Sequence, residues 1–463
     1  MRPCDPGAIP GDWVSHCAAD AAPLQLAGMK KTGILLLAAL FCLGLAGLLS
    51  RPLLFRREAF RPPQQTDLRE APPLVAFTTV ALGGFRGILA DFLWLRVSSL
   101  QEEGKYVEIV QLSDWITKLE PTFAEVWSYH AWNMAYNIGV LFDNPADRWR
   151  WVDKGLRMLR EEGIRYNPGD PRLYWELGWM YFNKVGGFMD DAAGYYQLRL
   201  CLGMEAILPG GRLRDPTPQQ AGRLWESFRL DAGSMAKLQK EVGVLDWRLA
   251  ESQALYWAFK GRTVAGLSPG LITERLYYQV MIASSIRGGL VFSSQREMLV
   301  RLARPDLFEA TLAVMDDTSR RFPDDEGIQA ARQFFLRFAV FQHQIRGEAG
   351  QAARYLELLR KMEIEASSDP AVYVKTLLNT GGLAMPGYLD LAEGLFFEAE
   401  AARAAGRAAE AARLDEGATE WAEGIARLLA REGQEPAMTL EAIRERGRKQ
   451  ARDYGVFSTD VKP

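Results

Sequence analysis

Two stretches decide the fold: Leu119–Asn137 (LEPTFAEVWSYHAWNMAYN) and Tyr166–Asn183 (YNPGDPRLYWELGWMYFN). In each, a proline is followed six residues later by a large aromatic, Pro121 by Trp127 and Pro168 by Tyr174. Each aromatic opens a run with further aromatics at helical spacing. A proline cannot continue a helix, because it has no N–H and its ring clashes with the preceding turn. A stop followed at a fixed distance by the same kind of helix reads as one unit written twice.

Outward from these stretches almost every segment past residue 74 reads as helix: long amphipathic runs broken at Gly or Pro, with no β-branched alternation of useful length. The expected fold class is all-α. Aligning helices on their first large apolar residue gives Leu93, Trp127 and Tyr174. Leu93 and Trp127 are 34 residues apart, whereas Pro121 and Pro168 are 47 apart, which places 13 extra residues most simply in Leu141–Trp149 (LFDNPADRW).

The run Tyr174-x2-Leu177-Gly178-x2-Tyr181 and the closing prolines resemble the tetratricopeptide repeat, a helix-turn-helix unit of about 34 residues. The resemblance implies a helical-hairpin solenoid in which an aromatic fills the gap between a unit's two helices and Gly178 permits close approach. His130 and Ala131 depart from it, standing where the Leu-Gly pair belongs. Fainter units are Ala250–Gly261, with Ala254, Trp257 and Gly261 in register, and Leu395–Ala418 around Gly406. The segments GGFRGILADFLWLR, RWRWV and EGIRYNP add a similarity to bacterial membrane-anchored repeat proteins, which brings no activity with it.

Stacked units of this kind present a concave surface lined by first helices. Residues one, five and nine places after each alignment point share a face, since i, i+4 and i+8 superpose. They are Trp94, Ser98 and Glu102; Ser128, Trp132 and Tyr136; Trp175, Trp179 and Asn183. Aromatics dominate interface hot spots, so this face is expected to bind an apolar or proline-containing peptide of a protein partner. The competing reading makes the same rings core, covered by the C-terminal helices or by the segment before Leu93.

The N-terminus adds a membrane element. Lys30 and Lys31 precede an uncharged run from Thr32 to Leu49, and Arg51, Arg56 and Arg57 come after it. That is a basic flank and an apolar segment near the lower limit for a spanning helix. An uncleaved transmembrane helix is favoured over a signal peptide cut near Gly44-Leu45-Ala46 and over a buried core helix. The divisions are then 1–28, a non-native or disordered leader with Met29 as the true start; 29–57, anchor or signal; 58–73, spacer; 74–206, N-terminal repeats; 207–223, loop; and 224–463, C-terminal helical repeats. Lys30 and Lys31 argue for export of the soluble part; Arg51, Arg56, Arg57 and Arg61 argue against it. The expected location is a bacterial inner membrane, single-pass, with the soluble region on the extracytoplasmic side.

Composition excludes more than it assigns. A net charge of -3 gives no footprint for nucleic acid. Three histidines and four cysteines are too scattered for a metal site or a disulfide framework; if translation starts at Met29, only Cys42 and Cys201 of the four cysteines remain. No zinc-protease, Walker or dinucleotide motif occurs. Gly266–Gly270 (GLSPG) imitates a hydrolase nucleophile elbow, but Pro269 has no N–H to offer an oxyanion, so Ser268 reads as a turn residue. His130 and His343 read as packed histidines, Trp149 and Trp151 as packing on a second helix, Asp316–Gly327 as a solvated turn. Arg444–Asp453 is a basic helical tail that touches anionic lipid or forms a wet face. Arg86 and Asp91 read as capping and solvent-facing residues in an apolar segment, with a buried ion pair as the alternative. The expectation is a non-enzymatic scaffold with no cofactor, metal or nucleic acid. An enzyme or enzyme-complex subunit with an unrecognised site, and a structural subunit with its groove filled from within, remain the alternatives.

Overall fold

The computed structural model describes residues 85–187, 190–266, 270–293, 298–363, 366–380, 382–383, 388–431, 433 and 438–454, all within the unit Thr66–Pro463. The expected leader, anchor and spacer, and Ser268, lie outside the described residues, as does the Arg86 side chain. No described helix is long and apolar enough to cross a membrane.

Helices dominate. They run α1 Phe85–Glu102, α2 Tyr106–Leu119, α3 Ala124–Trp132, α4 Pro145–Met158, α5 Pro171–Trp179, α6 Ala193–Glu205, α7 Pro218–Phe228, α8 Ala232–Val242, α9 Ala250–Ala265 and α10 Leu271–Arg287. After an antiparallel hairpin, β1 Gly289–Ser293 and β2 Met298–Leu302, come α11 Phe308–Arg321, α12 Glu326–Arg346, α13 Ala349–Arg360, α14 Pro370–Thr380, α15 Tyr388–Ala404, α16 Ala408–Arg431 and α17 Leu440–Tyr454. The strands are the one departure from all-α among the described residues. Val291, Met298 and Val300 pack on Phe397 of α15 and Ala451 of α17, so a tertiary surface stabilises a segment too short to announce itself by alternation.

The starts of α4 and α5 are set by local sequence. Asn144 and Asp170 each accept the N–H two residues ahead, from Ala146 and Arg172, and each is followed by a proline at the first helical position. Both α3 and α5 then pass into a π-helical turn, Asn133–Ile138 and Met180–Val185. These turns are 47 residues apart, as are the prolines, so the two copies share an irregularity as well as a pattern.

The six-residue spacing has a concrete cause. Trp127 Nε1–H donates to the Pro121 carbonyl at 2.8 Å, and Tyr174 Oη–H donates to the Pro168 carbonyl at 3.0 Å. Each aromatic reaches back over the first turn of its helix and satisfies the carbonyl of the proline that closed the preceding element. At the start of α9 the reach recurs: Ser252 and Gln253 donate to the carbonyls of Asp246 and Trp247.

Helix pairing also repeats. α3 lies along α4 and the π turn Leu159–Gly163 that continues it; Gly163 leaves room for Trp127, and a Cβ on Gly155 would stand 2.9 Å from the Ala131 carbonyl oxygen. The corresponding partner of α5 is α9, with Gly261 under Tyr174 and a Cβ on Gly178 meeting the Ala254 carbonyl at 3.2 Å. Thus Ala250–Gly261 belongs to the second helix of the Tyr174 unit rather than to a new unit, and residues 190–249 are inserted between the two halves. Residues 207–223 do not separate two cores, because Ile207, Leu208 and Leu213 are buried with Trp127, Tyr174, Met235 and Trp257 in one cluster.

A second cluster is built on α11 to α17 around Phe308, Phe335, Phe341 and Trp421. The helix α10 serves both, burying Tyr277 and Met281 in the first cluster and Tyr278 and Ile286 in the second. Beside this handover Glu251 is fully buried and pairs at 2.7 Å with both Arg287 and Arg301. The late hairpin α15–α16 turns at Gly406. Arg446 and Arg448 of the basic tail pair with Glu393 and Asp415 of α15 and α16, which ties α17 to those helices, whereas Arg452 pairs with Glu445 on α17 itself.

Candidate functional site

The nine residues expected to share a face separate into two groups. Trp132 stacks on Tyr136 at 5.0 Å, four residues along the same helix, and remains 41% exposed. Tyr136 Oη–H donates to Asn183 Oδ1 at 3.1 Å. Tyr136 and Asn183 occupy equivalent places in the two copies, so this bond joins the first helices of consecutive units face to face. Trp175 stacks on Trp179 at 5.8 Å with the rings nearly parallel. The structure thus links Trp132, Tyr136 and Asn183 in one strip and pairs Trp175 with Trp179 on α5.

The α1 residues behave differently. Trp94 turns its ring to Tyr129 at 5.0 Å and to Phe123 at 6.5 Å, packing between α1 and α3. Ser98 bonds back to the Trp94 carbonyl and is exposed, as is Glu102. Ser128 is half-buried beside the strip. Trp175 and Trp179 are themselves half-buried against the first core cluster, which leaves Trp132 as the ring most open to a partner.

Several neighbours of the strip lie outside the repeat spacing. Phe182 meets Trp179 edge-on at 6.1 Å. Lys184, almost fully buried, places Nζ 5.1 Å over the Tyr136 ring and pairs with Asp190 at 2.6 Å. Asp190 also accepts from Arg148, Tyr196 and the Ala192 N–H. Burial pushes its carboxyl up, but Lys184 and these donors hold it below the usual range. Beside the tryptophans, Glu176 has no hydrogen-bond or ion-pair partner among the described residues, and burial pushes its carboxyl up to about 7. The repeat alignment hides Glu176 and Lys184 because they fall between its marked positions.

His130 is buried with Nδ1 unpartnered, and burial pushes its imidazole down to about 4. His343 lies 2.5 Å from Glu348 through Nδ1 and stacks on Tyr355 at 5.2 Å. Trp149 packs on Tyr196, and Trp151 on Phe142 with Lys154 over its ring. Asp316 and Asp317 pair with arginines. No trio of His, Cys or carboxylate groups among the described residues is arranged to hold a metal ion. The groups that converge at the strip are flat ring surface, one amide and one unpaired carboxyl, which suits recognition by stacking and desolvation. No family model, curated protein or solved structure matches the chain.

Proposed function

We propose that this chain is a tetratricopeptide-like scaffold that binds an extended apolar or proline-containing segment of a protein partner along the Trp132–Tyr136–Asn183 strip. Residues 32–49 tether it to a bacterial inner membrane. The observation that carries the reading is Trp132: a tryptophan 41% exposed, stacked on a tyrosine that is itself fixed to the neighbouring unit. Such a ring is preorganised, so little side-chain entropy remains to be lost on contact. Trp175 and Trp179 stack on each other and pack against the first core cluster, which favours a structural share in their role. Glu176 stands ready to meet a backbone N–H or a basic side chain of the bound segment. No catalytic step is assigned.

The test is a photo-crosslinking amino acid placed at Ser128 in the full chain, expressed in its membrane, with an equal substitution at exposed Lys154 as control. One crosslinked partner, captured through an extended apolar or proline-containing segment and lost when Trp132→Ala is added to a folded chain, is the expected result. Capture no greater than at Lys154, or capture indifferent to Trp132→Ala, overturns the proposal.

A further inference from the structure

The insertion that separates α5 from α9 builds something the repeats alone would lack. Helices α6 and α7 close over α4 and leave a cavity of about 320 Å³, near the lower end of the range for small-molecule pockets. Its lining carries four arginines, Arg157, Arg160, Arg199 and Arg223, against one carboxylate, Asp153. Asp153 is already committed to Arg157 at 2.7 Å. Arg199 and Arg223, on α6 and α7, are exposed and have no hydrogen-bond or ion-pair partner among the described residues.

The fourth arginine is held like part of a built site. Arg160 has a side chain only 2% exposed. Its Nη1 donates to Tyr181 Oη at 3.0 Å and its Nη2 to Glu161 at 3.2 Å, the guanidinium lies 5.7 Å from the Phe228 ring centre, and Nε has no acceptor. A buried guanidinium is costly unless its field is used; Glu161 pairs with Arg160 and Asp153 with Arg157, and Arg199 and Arg223 add two positive charges that no carboxylate among the described residues offsets. Trp149 and Phe228 contribute flat apolar wall.

We infer that this cavity is a binding site for a small phosphomonoester, its phosphate held by Arg160, Arg199 and Arg223 and its organic part set against Trp149 and Phe228. Guanidinium groups match phosphate oxygens two at a time, which is why arginines in this number favour a doubly charged, many-oxygen anion over a halide or a single carboxylate. The site stands apart from the aromatic strip and does not depend on it. A free metabolite and a lipid headgroup carry the same group, and the cavity accepts the shared chemistry.

The test is calorimetric and thermal-shift titration of the full chain with phenyl phosphate, with phenol as the uncharged control. Parallel titrations use phosphatidylcholine vesicles with and without phosphatidic acid. The variants are Arg199→Ala and Arg223→Ala, singly and together; both side chains are exposed and unpaired, so the fold is expected to survive, and circular dichroism checks that it does. Expected is saturable binding of phenyl phosphate, or of vesicles only when phosphatidic acid is present. Each single variant should weaken it about tenfold or more, and added salt should weaken it further. Response to phenyl phosphate assigns a soluble ligand; response to phosphatidic acid alone assigns a headgroup. No binding to either probe, or binding unchanged in the folded double variant, overturns the assignment.

Discussion

The Trp127 unit and the Tyr174 unit are the same construction solved under different constraints. Both close on a proline carbonyl, both bury an aromatic against a glycine of the second helix or of the turn that continues it, and both relax into a π turn after a tryptophan. They differ in the connection between their two helices. The first unit meets its second helix, α4, after a short link; the second waits through residues 190–249 for α9. Because the pairing contacts survive that delay, the unit is specified by its interhelical surface and not by its loop, and loop closure costs rise only slowly with length. The insertion is then free to be used elsewhere, at the arginine-lined cavity.

The strongest way to break the comparison is to remove the aromatic. Trp127→Ala and Tyr174→Ala each empty a buried site, and each should lower stability by about 3–5 kcal/mol, read as the shift in urea midpoint of the full chain. If the units are equivalent, the two losses agree within about 1 kcal/mol. A Trp127→Ala loss below about 1 kcal/mol would show that the first unit does not rest on its aromatic.

Charge sharpens the comparison with opposite signs in the two copies. Glu176 stands where the first unit has Tyr129, and His130 where the second has Leu177. The folded Glu176 carboxyl titrates near 7 against an ordinary 4.5, so the unfolded chain releases its proton first. Stability is therefore lost as pH rises from about 4.5 to 7. The folded His130 imidazole titrates near 4 against an ordinary 6.5, so stability is lost as pH falls from about 6.5 to 4. Glu176→Gln is expected to gain about 2–3 kcal/mol at pH 8 and nothing below pH 4. His130→Leu should gain at pH 4 and shrink toward its neutral-pH value above pH 7. Denaturation midpoints across pH 4 to 8 check both, and parallel slopes in wild type and Glu176→Gln would show that the Glu176 carboxyl is not held protonated by burial.

Much of this architecture is legible from residue order, and the missing parts have physical reasons. The Pro121/Trp127 and Pro168/Tyr174 spacing marks the units because a local hydrogen bond enforces it. Helical periodicity, which is also local, places Trp132, Tyr136 and Asn183 on one face. The partner of α5 is not legible, because periodicity reports which face is buried and not which helix buries it. That Trp94 packs between α1 and α3 is not legible either, because its ring partners, Phe123 and Tyr129, come from another helix and its cap. The arginine cavity is hidden because Arg160, Arg199 and Arg223 are far apart in sequence and each alone reads as a wet helix face.

The smallest effect asks why the six-residue spacing ends in an aromatic that can donate. Tyr174→Phe keeps the ring between α5 and α9 and removes only the hydroxyl, leaving the Pro168 carbonyl without that donor. In the first unit the matching carbonyl has two donors, Trp127 Nε1 and Asn167 Nδ2 at 2.9 Å, so no equally small change isolates the bond there. The expected cost of Tyr174→Phe is about 1 kcal/mol, measured as a midpoint shift beside the several kcal/mol of Tyr174→Ala. A cost indistinguishable from zero would mean that water replaces the hydroxyl freely and that ring volume alone sets the residue. A cost near 1 kcal/mol makes the clasp itself the reason that a tyrosine or tryptophan, and not a phenylalanine, stands six residues after each proline.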